Sequence, residues 1–266
     1  MEKALRKTIK RELLQIAMEE KKLRESAMKG SAVSWKTALE KKIPTKVYEG
    51  LVSAFSQSFS LVFRKGKKLI EITYDKESLQ TRHEERSRSI HQGNGRGELK
   101  QMRKSARRTN SLNMTATAAE GIALGIFGVG LPDIVLFLTT LLKGIYETAL
   151  HYGFEYDSRQ EQYLILNMMA SALSRGKAWE AANGEVDTLL TDEPITVTED
   201  VLNRQIKETA SVFAVDMLLL KFIQGTPVVG LIGGAANPIY YHKVMQYVQL
   251  KYRKRYLQKQ LQEETI

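Results

Sequence analysis

The chain contains no cysteine. Disulfides, thiolate metal ligands and thiol nucleophiles are therefore excluded, and the composition fits a reducing cytosol. Histidine is scarce, four in 266 residues. None stands in the His-Glu-x-x-His spacing of zinc peptidases, nor in a recognisable Ser/His/Asp set. No catalytic residue, metal site or cofactor is assigned on these grounds, and a non-enzymatic role is the expectation. The N-terminus, MEKALRKTIKRELLQ, is charged throughout and lacks an apolar signal core, so no cleaved signal peptide is expected. Also missing are zinc-finger spacing, an aromatic ribonucleoprotein-like strand and a zipper following a basic region, so nucleic acid is not the expected partner.

What is there is an ordinary globular balance, 43% hydrophobic and 26% charged residues, with a formal net charge of +10. The charge is uneven. Arg64 to Arg108 holds fourteen Lys/Arg against six Asp/Glu, whereas Asn183 to Asp200 holds six acids and no base. A basic surface attracts anionic lipid, nucleic acid or an acidic partner, and charge alone does not choose among them. Arg103, Lys104, Arg107 and Arg108, with Arg253, Lys254 and Arg255 far downstream, are the expected basic surface.

Periodicity is helical throughout, and no strand alternation stands out. Leu5, Ile9, Leu13 and Ile16 share one face of a helix that should stop near Gly30. Pro44 suits the first turn of a second helix, whose buried stripe is Val47, Leu51, Phe55, Phe59 and Val62. Leu69 to Tyr74 reads as helix or loop. The basic segment 84–110 has hardly an apolar residue and centres on Gly93-Asn94-Gly95-Arg96-Gly97, so it reads as a flexible linker or loop. A helix follows from about Leu131 to Gly153, another from about Ser158 to Ala181, then an acidic loop over 183–198. Thr198-Glu199-Asp200 opens a further helix with a capping hydroxyl and first-turn acids, and a final basic helix runs from about Pro238 to Lys259.

The stretch GIALGIFGVGLPDIVLFLTTLLKG, residues 121–144, is the most apolar part of the chain. Gly128, Gly130 and Pro132 break it, so two shorter helices are expected instead of one span long enough to cross a bilayer. Gly225-Thr226-Pro227 breaks the second apolar segment in the same way. Gly121, Gly125 and Gly128, like Gly230 and Gly234, would let helices cross closely. Either these are crossings in a soluble core or they are hairpins that dip into a membrane. The expected fold is all-α, a single helical domain over residues 1–266 with two central glycine-hinged helix pairs.

At these residues the chain resembles the EcsC family of bacterial proteins. The likeness rests on Gly121 to Gly128, on Leu131-Pro132-Asp133, and on Tyr152-Gly153 with Tyr156-Asp157. Downstream it continues in Pro227-Val228-Val229-Gly230, Ala235-Ala236-Asn237 and the basic Tyr252-Arg253-Lys254-Arg255. The family takes its name from a protein encoded beside the subunits of an ABC exporter and has no agreed catalytic residues. The resemblance implies one domain and a non-enzymatic accessory role beside a transporter or secretion machinery. ABC transporter subunits are then expected partners. The Lys/Arg clusters add an anionic membrane surface, and the expected location is the cytoplasm, peripheral at the inner face of the membrane. The alternative is a lipid or amphiphile binder, or a protein that inserts its glycine-rich hairpins conditionally.

The candidate polar or ligand-site residues follow from spacing. Asp133, Thr140, Glu147 and His151 form a polar line along one apolar helix face. They would bind a cation or a polar headgroup, or, more economically, pair among themselves and favour the helix dipole. Glu120 has no base within one turn, and Asp216 interrupts the apolar run VFAVDMLLL. Buried, each needs a cationic partner, with Arg204, Lys207 and Lys143 as the candidates. Asn237, before Pro238, is most simply a cap.

Overall fold

The computed structural model describes residues 2–29, 44–92, 95–116, 132–191, 195–224 and 237–263. No strand occurs among them, and the fold is all-α. The glycine-hinged breaks at 128–132 and 225–227, together with Glu120, Gly121, Gly125, Gly128, Gly230 and Gly234, lie outside these residues, as do the side chains of Asp133 and Asn237.

Helix α1 (Glu2–Lys29) buries Leu5, Ile9 and Ile16. Pro44 precedes α2 (Thr45–Leu61), its carbonyl accepting from Val47 N at 2.9 Å. The helix runs on through a π turn, Val62–Gly66, into the short α3 (Lys67–Glu71). Asp75 Oδ1 accepts from Ser78 N at 2.9 Å and starts α4 (Lys76–Gln92); α5 (Arg96–Ala116) follows. The segment expected to be a flexible loop over 84–110 is thus helical on both sides of a turn. Ile90, Leu99, Met102 and Ala106 supply its buried contacts. They are few, but each lands against the core, and tertiary packing outweighs the polar composition. The turn needs Gly95, which has φ +64° and lies where a Cβ would meet Leu5 Cδ1 at 2.5 Å.

Pro132 opens α6 (Pro132–His151). The helix expected over 158–181 is two helices, α7 (Arg159–Leu173) and α8 (Gly176–Leu189). Extended backbone at Ser174 and Arg175 and a left-handed Gly176, φ +58°, part them. Ser158 Oγ accepts from Glu161 N at 3.1 Å to cap α7. The front of the expected acidic loop is the end of α8. Thr198 Oγ1 accepts from Val201 N at 3.3 Å and caps α9 (Glu199–Gln224), and α10 (Asn237–Glu263) completes the described chain.

Helix α6 packs against α2, α4, α5 and α10, and α7 against α8, α9 and α10. Phe213 of α9 lies 5.5 Å from Phe55, 5.6 Å from Phe59 and 6.3 Å from Phe137, joining α2, α6 and α9. By length and composition, one helix among the described residues could cross a membrane: its window Ile134–His151 has a mean hydropathy of 1.2, but 78% of that window is buried in the protein. The outer helix α1 is joined to α10 by ions. Arg253 Nη2 donates to Glu12 at 2.8 Å and its Nη1 to Glu19 at 3.2 Å. Lys251, with 0% of its side chain exposed, pairs with Glu20 and, at 2.6 Å, with Asp187 of α8. Lys254 reaches the same two acids at 3.3 and 2.8 Å.

Removing one partner of a buried ion pair strands the other in low dielectric. Lys251→Ala is therefore expected to lower unfolding free energy by about 3–5 kcal/mol in denaturant titration. Two glycines should behave oppositely. Gly153 has φ +76°, and a Cβ there would stand 2.2 Å from His83 Nε2, so Gly153→Ala should cost about 1–3 kcal/mol. Gly50 lies within α2 with nothing within 4 Å of an added Cβ, and Gly50→Ala should stabilise by about 0.5–1 kcal/mol. Parallel melts of the two variants separate these outcomes.

Candidate functional site

Of the polar line on α6, Thr140 is half-buried and Glu147 and His151 turn inward. Thr140 Oγ1 donates to Leu136 O at 3.0 Å, one helical turn back, and is satisfied within its own helix. Glu147 and His151 are each 4% exposed. Burial, followed by the nearby charges of Arg86, Arg82 and His83, pulls the His151 imidazole down to about 4, so it is neutral at pH 7. His83 approaches from α4, its Nδ1 donating to His151 O at 3.1 Å; burial lowers its pKa as well.

Asp216 is 5% exposed and has two cationic partners, neither of them among those expected. Arg175, from the extended break before α8, donates to Asp216 Oδ1 through Nε at 2.9 Å and Nη2 at 2.6 Å. Lys243 Nζ lies 3.6 Å from Oδ2. Burial lowers the Lys243 pKa, Asp216 opposes that shift, and Arg175 adds to it. Tyr240 OH donates to the Asp216 carbonyl at 3.0 Å. This triad borders a cleft of about 270 Å³ whose other walls include Leu23, Trp179 and Ile239. Two cations against one carboxylate leave the cleft with a net positive charge beside apolar walls.

The expected basic surface divides. Lys104, Arg107 and Arg108 are exposed. Arg253 is a correction: it is 5% exposed, held between Glu12 and Glu19. Lys254 and Arg255 also point into pairs, with side chains 18% and 12% exposed, and Arg255 meets Glu161 at 2.8 Å. The reason is that α10 is an inner helix, flanked by α1, α5, α6 and α7, so its cations face the acids of its neighbours.

Three of these arginines converge. Arg103, Arg107 and Arg253 line a cleft of about 480 Å³ between α1, α5 and α10, with Glu19, Tyr152 and Met245. Arg103 pairs with Glu12 at 3.5 Å, while Arg107 is 61% exposed and only 3.9 Å from Glu19. A guanidinium held this loosely can take a carboxylate or phosphate oxygen from solution. Burial pushes the Tyr152 hydroxyl up to about 12, against the pull of Arg253, Arg103 and Arg107, so it remains a donor at neutral pH. No cluster of three or more metal-ligating side chains occurs among the described residues. The arrangement can hold an anionic group beside apolar surface.

Sequence reasoning missed Arg175, Lys243 and Lys251. It also missed Glu12, Glu19 and Glu20, although a signal was present. Those three acids lie on the side of α1 that carries Leu5, Ile9 and Ile16, opposite most of its bases, which is the pattern of a helix with charged partners inside the fold.

Comparison with known proteins adds one match. The model of the EcsC protein family matches residues 7–257, nearly the whole chain. No curated protein and no solved structure matches.

The His151 geometry predicts a pH dependence. Its folded pKa, about 4, lies below the unfolded value of about 6.5, so the unfolded chain binds the extra proton first. The stability that neutral His151 contributes is complete above pH ~6.5, falls as pH drops towards ~4 and is then exhausted, a change of about 3 kcal/mol. Chemical denaturation from pH 8 to pH 4 should show that slope, and His151→Gln should reduce it, leaving the part that the lowered pKa of His83 contributes.

Proposed function

The chain belongs to the EcsC protein family, and from that premise we propose a non-enzymatic accessory protein attached to the anionic inner face of the membrane, working beside a transporter or secretion machinery. One observation carries this reading. Glu12, Glu19, Glu20, Glu161, Asp187 and Asp216 are all engaged by cations of other helices, whereas bases such as Lys104 and Arg108 stand exposed. Among the described residues bases are thereby left facing outward, in a chain of net charge +10, where an anionic bilayer is attracted by about 1 kcal/mol per Lys or Arg. The apolar α6, largely buried against its neighbours, is used by the core, which favours attachment over spanning.

A second reading, favoured by the arginine-lined cleft, is that the protein holds an anionic lipid or amphiphile. A cleft of about 480 Å³ falls within the size range of small-molecule sites, about 300–1,000 Å³, and combines a few polar groups with apolar wall.

Fractionation tests the first reading. The protein should sediment with membranes and be released by high salt. Failure to sediment, or resistance to both salt and carbonate, would overturn it. Native mass spectrometry with parallel lipid extraction tests the second. A stoichiometric lipid lost in Arg103→Ala/Arg107→Ala, with the melting temperature unchanged, is the expected result, and a clean apo mass for the wild type would sink the idea.

A further inference from the structure

Helix α1 is two-faced in an unusual sense: both faces are charged, but with opposite sign and opposite fate. Glu12, Glu19 and Glu20 turn inward to Arg253, Arg103, Lys251 and Lys254. The other side carries Lys7, Lys10, Arg11, Lys21 and Lys22, all exposed. No ion pair joins any of these five to a described residue. Amid them stand Leu14 and Met18, 66% and 59% exposed, two of the most exposed large apolar side chains among the described residues. Lys10, Leu14, Met18 and Lys22 step by four, and Lys7, Arg11, Leu14, Met18 and Lys21 alternate steps of four and three, so one stripe contains them all. Glu25 is the acid exposed on this side among the described residues, one turn beyond Lys21.

We infer that this outward stripe of α1 is the membrane-docking surface, with Leu14 and Met18 entering the headgroup region and the flanking bases meeting anionic lipid. The inference rests on the attachment proposed above and says which face performs it. Charge complementarity selects the occupant. A second copy of the chain would set like charges against each other. A nucleic acid would be served by the bases but offers a phosphate backbone nothing to gain from Leu14 and Met18. An anionic bilayer answers both features, because a helix lying in its interface buries apolar side chains while lysines reach the headgroups. Glu12, Glu19 and Glu20, which would repel such a surface, are bound to α10, so the fold itself leaves the outer face predominantly basic, with Glu25 its exposed acid.

Vesicle flotation of the full chain tests this, with phosphatidylcholine alone and with phosphatidylcholine and phosphatidylserine at about three to one. The wild type should float with the anionic vesicles and release as salt rises from ~0.1 M to ~0.5 M. Lys7→Gln/Arg11→Gln/Lys21→Gln should weaken partitioning about a hundredfold, at about fivefold per charge. Leu14→Ser/Met18→Ser should also weaken it, and Leu14→Trp should show a blue-shifted emission with those vesicles. These side chains are exposed, so circular dichroism melts should match the wild type. Lys104→Gln/Arg108→Gln, on α5, is the control and should lose far less per charge than the α1 variant. Wild-type flotation with undiminished binding by the α1 variants, or an equal or larger per-charge loss in the control, overturns the docking face and leaves membrane attachment standing. A wild type that ignores anionic vesicles, including one that instead shifts duplex DNA, overturns both.

Discussion

The constraint on which the rest of the molecule depends is the burial of cations in α10. Lys251 is wholly enclosed, and a lone ammonium in that position would cost several kcal/mol, so acids must be brought to it. Glu20 comes from α1 and Asp187 from α8. The Tyr247 ring lies 5.2 Å from the same ammonium, and Tyr247 OH donates to Asn183 at 2.8 Å. One buried charge thereby fixes the register of three helices. Two positions on, Arg253 repeats the arrangement with Glu12 and Glu19. Apolar packing brings these helices together, and in the observed register each of these buried cations also meets its acids.

The same economy governs the middle of the fold. Phe213 ties α2, α6 and α9 through aromatic contacts. On the other side Glu161 of α7 receives Tyr252 OH at 2.7 Å and Arg255 at 2.8 Å, with the Arg255 guanidinium 4.2 Å from the Phe154 ring centre. The sheltered interior therefore mixes tyrosine, arginine and carboxylate with aliphatic side chains. Clefts that open beside such a mixture inherit both characters, and this is why the two cavities of interest each present positive charge next to apolar wall.

Much of the helical plan was legible because it is local. Pro44, Ser158 and Thr198 start helices by satisfying backbone donors or tolerating their absence, and the stripe from Leu51 to Val62 has the period of one face. The segment 84–110 was misleading because its burial depends on single residues such as Ile90 and Met102 meeting partners far along the chain. The break at Ser174-Arg175 escaped notice because the apolar pattern runs across it; Gly176 with a left-handed backbone was the trace it left. The site was legible in part. Asp216 needed a cation, as expected, but Arg175 lies 41 residues earlier, and no local pattern connects them. The basic run from Arg253 to Arg255 looked solvated because its acids are elsewhere in the chain.

That separation has a consequence for how the chain comes together during synthesis. Glu20 and Lys251 are 231 residues apart, and Glu12 and Arg253 are 241. At ribosomal speeds of roughly 5–20 residues per second, α1 waits on the order of ten to fifty seconds before α10 is available to it. Until then Leu5, Ile9 and Ile16 have no α10 to pack on, and α6 and α7, which both lie against α10, remain open on that side. Closure is thus a late, long-range event in which the two distant helices dock together. A nascent chain of this fold keeps α6 and α7 open on that side from their own synthesis until α10 arrives, and through that interval their unfinished faces are available to whatever binds apolar surface.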